Sequence, residues 1–133
     1  MQCKFHHTAL RVKNFDEVVK FYKDVFSMTE YISWVHQEPQ ESYPAIMLKM
    51  PGGGILEIFG GRADGAEANP LWIQLCFETD DVSAMYQKAL DAGAKPHVKP
   101  SEFAIPCAKP VDVDFAFVYG LAGEVIEFLK IKS

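Results

Sequence analysis

The chain has 133 residues, of which 49% are hydrophobic and 23% charged, enough for one folded domain with a hydrophobic core. Its formal net charge is -5 and it has no cluster of basic residues, so nucleic-acid binding is not expected. No apolar run approaches the roughly 20 residues of a membrane span. The N-terminal MQCKFHH also lacks the apolar stretch of a signal peptide. These features predict a cytoplasmic protein that does not enter a membrane.

The first half of the chain reads as one strand, one helix and three further strands. Residues 3–12 predict a strand, and NFDEVVKFYKDVFS predicts a helix because its apolar residues recur at helical spacing. Three strand-like runs follow, TEYISWVHQ, SYPAIMLKM and GILEIFG, with the turn signals EPQES and PGGG between them. The small, polar segment GRADGAEANP, residues 61–70, then predicts a linker.

The same order of elements returns in the second half. LWIQLCFET predicts a strand, DDVSAMYQKALDAGA a helix, and three strands follow around KPHVKP, VDVDFAFVYG and EVIEFLKIK. The sequence therefore predicts a tandem repeat of a βαβββ module within one 1–133 domain of the α+β class. Module 1 covers about residues 3–61 and module 2 about residues 71–132.

Polar residues fall at equivalent places in the two modules. Aligning HTALRV with QLCFET places His7 opposite Gln74, and aligning ILEIF with VIEFL places Glu57 opposite Glu127. Strand alternation turns His7 away from the helix, whereas His6 faces the helix side. A carboxylate inside an apolar strand is costly to bury unpaired, and a metal ion removes that cost. One nitrogen donor and three oxygen-bearing side chains suit a divalent ion.

Taken singly, each of these side chains has a simpler explanation. His7 alone is more often a hydrogen-bonded structural histidine, and a single glutamate is more often a solvated residue on a sheet face. Their joint placement across the repeat favours the metal site.

The ordered set of motifs resembles the vicinal oxygen chelate superfamily, the group of glyoxalases, bleomycin-resistance proteins and extradiol dioxygenases. The motifs are HTALRV, FDEVVKFYKDVFSM, LEIFGG, QLCFETDDVSAMYQKALDAGA and GEVIEF. The resemblance implies two βαβββ modules that form a cupped mixed sheet around a metal site, completed as a homodimer. It also implies that the metal ligands are His7, Glu57, Gln74 and Glu127.

Within the superfamily the chain is most similar to glyoxalase I-like proteins. That similarity implies a lactoylglutathione lyase type of enzyme that uses zinc, nickel or cobalt. Arg11 matches an arginine that holds glutathione in those enzymes, so it is a candidate substrate-binding residue. Gln74 stands where they typically carry a second histidine. Gly60 and Gly61 stand where they carry an asparagine that helps bind glutathione.

The leading hypothesis is a metal-dependent lyase or isomerase that acts on a small α-hydroxycarbonyl or thiohemiacetal, possibly a glutathione adduct, through an enediolate. Glu127 is the first candidate for the catalytic base and Glu57 the second. A related epimerase would use the same first half-reaction. A dioxygenase is disfavoured because its iron site prefers two histidines and one carboxylate. The alternative from another class is a non-catalytic binding or resistance protein, with an apolar pocket lined by Trp34, Phe59, Trp72 and Phe117.

Overall fold

The structure, a computed structural model, describes residues 5–61 and 74–132. The chain divides into two compact units, Met1–Pro70 and Leu71–Ser133. Beyond Gly61, the predicted linker at residues 61–70 lies outside the described residues. Neither helix among the described residues has the length and apolarity needed to cross a membrane.

The first unit contains one helix and a four-stranded mixed sheet. The elements in chain order are β1 (Thr8–Arg11), α1 (Phe15–Phe26), β2 (Thr29–Glu38), β3 (Glu41–Lys49) and β4 (Ile55–Phe59). The strands pair in the order β1-β4-β3-β2. Strand β1 runs parallel to β4, and the other neighbours are antiparallel.

The second unit repeats this arrangement. The elements are β5 (Gln74–Glu78), α2 (Val82–Asp91), β6 (Lys95–Ile105), β7 (Val111–Tyr119) and β8 (Val125–Ile131). The strands pair in the order β5-β8-β7-β6, with β5 parallel to β8. The predicted α+β class and the twofold βαβββ order are therefore confirmed.

The helix of the first unit forms because its apolar residues fall on one face, and the fold buries that face. Helix α1 lies against β4, whose Leu56 and Ile58 are buried. The buried residues of α1 are Val18, Val19, Phe21, Tyr22, Val25 and Phe26. In the second unit, α2 packs in the same way against β6, β7 and β8. Each helix thus covers one sheet face, and side chains on the other face are free to serve a site.

The turns that lead into β4 and β8 have equivalent hydrogen bonds and equivalent glycines. Met50 N–H donates to the Gly54 carbonyl at 3.0 Å, and Gly120 N–H donates to the Glu124 carbonyl at 2.8 Å. A glycine with positive φ occupies the same place in each turn, Gly53 at 102° and Gly123 at 88°. These left-handed conformations favour glycine because it has no Cβ. The repeated turn starts β4 and β8 at equivalent points, so a glutamate follows each turn by the same number of residues.

Core packing behind the first sheet gives a stability prediction. Ile58 has 0% exposure, whereas Ile32 is 45% exposed. We expect Ile58→Ala to lower the free energy of unfolding by about 2–5 kcal/mol, because it removes buried methylene groups and leaves a cavity. Ile32→Ala removes the same atoms from the surface and should cost well under about 1 kcal/mol. Urea unfolding monitored by circular dichroism measures both. Equal losses in the two variants would contradict this account of the core.

Candidate metal centre

In the first unit, the parallel pairing of β1 with β4 brings a histidine to a buried glutamate. Ala9 lies directly beside Glu57 in the strand register, and His7 precedes Ala9 by two residues, so their side chains share a face. The His7 Nε2 atom lies 3.3 Å from Glu57 Oε1. Glu57 is only 7% exposed and is the charged residue buried within the described part of the chain. The contact with His7 offsets part of the cost of burying this carboxylate.

The second unit contains the matching pair in the same register. Cys76 lies directly beside Glu127, and Gln74 precedes Cys76 by two residues. The Gln74 Nε2 atom donates a hydrogen bond of 2.9 Å to Glu127 Oε1. Each unit therefore joins the start of its first strand to a glutamate in the middle of its last strand. The structure brings His7 together with Glu57, and Gln74 together with Glu127.

The two pairs carry donor types that divalent cations accept. An imidazole nitrogen, two carboxylates and an amide oxygen are ligand types that such ions accept. Among residues 5–61 and 74–132, no three His, Cys, Asp or Glu side chains form one cluster suited to a metal ion. Each unit supplies two candidate ligands, and the predicted four-ligand set draws on both units.

Cys76 lies beside the Gln74–Glu127 pair but remains a neutral thiol. Partial desolvation, followed by the negative charge of Glu127 and a hydrogen bond to it, raises the pKa of Cys76 to about 12. The thiol therefore stays protonated at physiological pH. Cys76 and Cys107 are both free thiols.

The rings of His6 and His7 are in contact, although strand alternation predicts that they point to opposite faces. The Nδ1 atom of His6 is 2.8 Å from His7 Nδ1, and the two rings meet edge to face. The β1 ladder begins at Thr8, so this contact lies just before the first paired residue of the strand. The side of the sheet that His6 faces stays a prediction, and the structure shows only that its ring contacts His7.

Arg11 lies on the same sheet face as Glu57, within an aromatic cluster. Arg11 is the register partner of Phe59, two residues beyond the Ala9–Glu57 pair. Its guanidinium carbon lies 5.1 Å from the centre of the Tyr43 ring and 5.7 Å from that of Phe59. These are distances at which a cation is attracted to a ring face. The arginine head is thus held over the sheet face that carries the His7–Glu57 pair.

Glu38, His36 and Tyr43 complete this cluster, and none of the three is among the residues predicted for the site. The Tyr43 hydroxyl donates a 2.7 Å hydrogen bond to Glu38 Oε1. That bond, followed by burial, raises the pKa of Tyr43, while Arg11 opposes the shift. The His36 ring stacks on Tyr43 with centroids 5.3 Å apart. A signal was present in the sequence, since Trp34, His36 and Glu38 alternate along one strand and therefore share a face.

The aromatic residues predicted to line a pocket are partly brought together. Trp34 and Phe59 meet edge to face with centroids 6.1 Å apart. In the second unit, Phe117 lies directly beside Glu127 in the strand register. Trp72 lies outside the described residues.

A separate open cleft of about 450 Å³ lies in the second unit. Lys130 lines it and occupies the sheet face opposite Glu127, because odd and even positions of β8 alternate. The other charged residues of its lining are Asp80, Asp81, Glu102 and Asp114. This cleft lies away from the Gln74–Glu127 pair, and its four carboxylates would repel an anionic substrate.

A family model described as the Glyoxalase/Bleomycin resistance protein/Dioxygenase superfamily matches residues 4–105. The chain belongs to this superfamily. The family assignment agrees with the paired βαβββ units and with the resemblance seen in the sequence motifs.

Individual relatives are distant. The chain is 27% identical over 103 residues to the lactoylglutathione lyase of Schizosaccharomyces pombe, a match that covers 61% of this chain and 34% of that protein. It thus spans about a third of the length of that curated relative.

Two solved structures show the same fold at lower identity. One is a glyoxalase/bleomycin resistance protein/dioxygenase family enzyme from Burkholderia phytofirmans, with a TM-score of 0.71, 17% identity and coverage of 95% of this chain and 97% of that one. The other is glyoxalase I from Zea mays, with a TM-score of 0.66, 19% identity and coverage of 92% and 43%.

Proposed function

We propose that this protein is a metal-dependent lyase or isomerase of the glyoxalase type, acting on a small α-hydroxycarbonyl or thiohemiacetal substrate. The observation that carries the proposal is the repeated pair, in which a glutamate of the last strand contacts a residue at the start of the first strand. Membership of the superfamily and the similarity to a lactoylglutathione lyase support it.

The metal ligands in this proposal are His7, Glu57, Gln74 and Glu127. A metal ligand must offer a lone pair to the cation, and imidazole, carboxylate and amide groups can each do so. Gln74 uses its Nε2 group as donor to Glu127, so its Oε1 atom is left for the cation. Zinc, nickel and cobalt all accept this mixed nitrogen and oxygen set. When bound, the ion would act as a Lewis acid for negative charge that develops on substrate oxygen.

Glu127 is the residue we assign as the proton-transferring base. Its carboxylate remains partly exposed, whereas the Glu57 side chain is only 9% exposed and contacts His7. The hydrogen bond from Gln74 engages Oε1 of Glu127, and the Cys76 thiol also hydrogen-bonds to this carboxylate. Glu127 would take a proton from the carbon next to the carbonyl group and return it to the neighbouring carbon. The buried Glu57 fits a purely ligating role better.

Arg11 is proposed to bind an anionic group of the substrate, such as a carboxylate of a glutathione adduct. We expect Arg11→Ala to raise KM about tenfold or more, since hydrogen bonds to charged groups contribute about 1.5–3 kcal/mol. The value of kcat should change little, because this contact is made equally in the ground and transition states. Lys13→Ala removes a nearby exposed positive charge and serves as the control. Similar KM values for native protein and Arg11→Ala would remove Arg11 from the binding site.

The proposal is tested by metal reconstitution followed by a substrate screen. Protein purified without chelator is analysed for bound metal, then stripped and reloaded with zinc, nickel or cobalt. Each form is assayed with glutathione hemithioacetals and with α-hydroxycarbonyl compounds that lack glutathione. Metal-dependent turnover of any of these supports the proposal, and a chain that binds none of the three metals contradicts it.

A non-catalytic small-molecule binder is the second candidate. The observation in its favour is the aromatic cluster of Trp34, His36, Tyr43 and Phe59, which offers stacking surface for a planar ligand. A binder needs no metal, so ligand binding that survives complete metal removal would favour this function over the enzyme.

We further propose that the protein is a symmetric homodimer, as the family resemblance implies. Such a dimer would use the same surface on both subunits. Sedimentation velocity at micromolar concentration distinguishes it from a monomer.

A further inference from the structure

We propose that Tyr43 is a positioning residue, which holds the guanidinium of Arg11 over the sheet face and is itself held by Glu38. The inference rests on the proposed function, in which Arg11 binds an anionic group of the substrate. It follows from a chain of contacts that runs through Tyr43 and joins the two outer strands of the first unit, β1 and β2.

The side chain of Arg11 reaches across its sheet. Arg11 pairs with Phe59 of β4, which pairs in turn with Ala45 of β3. Its guanidinium carbon nevertheless lies 5.1 Å from the ring centre of Tyr43, which is on β3. Arg11 is an exposed residue of an outer strand, so its charged head could extend into solvent instead. Fixing a long side chain across the sheet costs rotamer freedom, and a contact at the Tyr43 end is needed to offset that cost.

Tyr43 provides a fixed point for this contact. It is only 3% exposed, and the His36 ring stacks on it with centroids 5.3 Å apart. Its hydroxyl donates a hydrogen bond of 2.7 Å to Glu38 Oε1. With the hydrogen directed at Glu38, the lone pairs of the hydroxyl oxygen are left for a guanidinium, which can only donate. The guanidinium of Arg11 does hydrogen-bond to this hydroxyl.

The direction of the hydrogen bonds explains the part of Glu38. Arg11 donates to Tyr43 and Tyr43 donates to Glu38, so a charged group at each end strengthens both bonds. The bond to Glu38 also raises the pKa of Tyr43, which keeps the hydroxyl protonated at neutral pH. An arginine held in this way has lost its rotamer freedom before the substrate arrives, so binding an anion costs less.

Removal of the Tyr43 hydroxyl alone tests the inference. We expect Tyr43→Phe to raise KM roughly 2- to 10-fold for whichever substrate the screen identifies, the range for one hydrogen bond, with kcat near the native value. Tyr31→Phe is the matched control, because Tyr31 is 47% exposed, and it should leave KM unchanged. In an Arg11→Ala background, Tyr43→Phe should raise KM no further, whereas a general structural effect would add in both backgrounds.

Two variants of Glu38 separate its hydrogen bond from its charge. Glu38→Ala and Glu38→Gln both remove the negative charge, but only glutamine retains an oxygen that can accept from Tyr43. We therefore expect KM to be higher in Glu38→Ala than in Glu38→Gln. Equal KM values in the two variants would overturn the role of Glu38.

A second readout needs no substrate. The chain contains two arginines, Arg11 and Arg62, so the Arg11 Nε–H signal in a nitrogen-15 NMR spectrum is the one that Arg11→Ala lacks. We expect this hydrogen to exchange with water several-fold faster in Tyr43→Phe than in the native protein. In Tyr31→Phe it should exchange at the native rate.

The outcomes separate this inference from the proposed function. Native exchange of the Arg11 signal in Tyr43→Phe would overturn the positioning role and leave the proposed function standing. A KM increase that persists when Tyr43→Phe is combined with Arg11→Ala would do the same. If the native protein turns over none of the screened compounds, the proposed function fails, and the Arg11 signal alone decides whether Tyr43 holds Arg11.

Discussion

Replacement of His7 by alanine is expected to remove nearly all tightly bound metal. His7 supplies the imidazole nitrogen of the proposed set, and its Nε2 atom is directed at Glu57. Loss of a ligand should weaken affinity by more than the roughly 100-fold that outer-shell changes reach. Metal content after purification and cobalt competition both measure the effect.

The controls for this variant separate ligand loss from general damage. His97→Ala removes an imidazole that stacks on Tyr119 in the other unit. It should retain native metal content, and circular dichroism should show that both variants remain folded. Native cobalt affinity in His7→Ala would exclude His7 as a ligand.

Glu127→Gln is expected to lose most activity while keeping some metal. Glutamine preserves the volume and one oxygen donor but removes the basic carboxylate. Positioned general bases contribute about 10²- to 10⁴-fold to rate, so we expect a fall of that order in kcat on whichever substrate the screen identifies. The loss should lie mainly in kcat because proton transfer belongs to the transition state.

Glu78→Gln is the matched control for Glu127→Gln. Glu78 is an exposed carboxylate on the same sheet face, two positions beyond Cys76, and its removal should leave kcat near the native value. Native enzyme turned over in deuterium oxide should also place deuterium at the reprotonated carbon. If Glu127→Gln binds metal normally and turns over at the native rate, Glu127 is only a ligand and Glu57 becomes the candidate base.

Much of the fold could be predicted because the two halves repeat their pattern. Alternation along a strand has a period of two residues, so His7 and Glu57 could be placed on one face once their strands were paired. The same argument placed Gln74 with Glu127, and the hydrogen bond between them shows the pairing in the structure. Their joint role as metal ligands remains a prediction.

The Arg11 cluster could not be predicted, because it depends on a register that the sequence does not reveal. Tyr43 meets His36 only through the pairing of β2 with β3, which contains an irregularity between Glu30 and Ile32. A shift of one residue would move Tyr43 to the opposite face. The contact of His6 with His7 was not predicted, because strand alternation separates neighbouring side chains and His6 lies before the first residue of β1.

The parallel pairing of the first and last strands has a consequence for local unfolding. In each unit these strands are distant in sequence, and the first strand is outermost in the four-strand order. Opening of the short β1, which has 4 residues, would separate His7 from Glu57 without disturbing the rest of its sheet. A cation held by both residues would bind only the closed form and would slow amide hydrogen exchange in β1 and β4. Each pair therefore couples occupancy of the proposed site to the opening of an outer strand of its sheet.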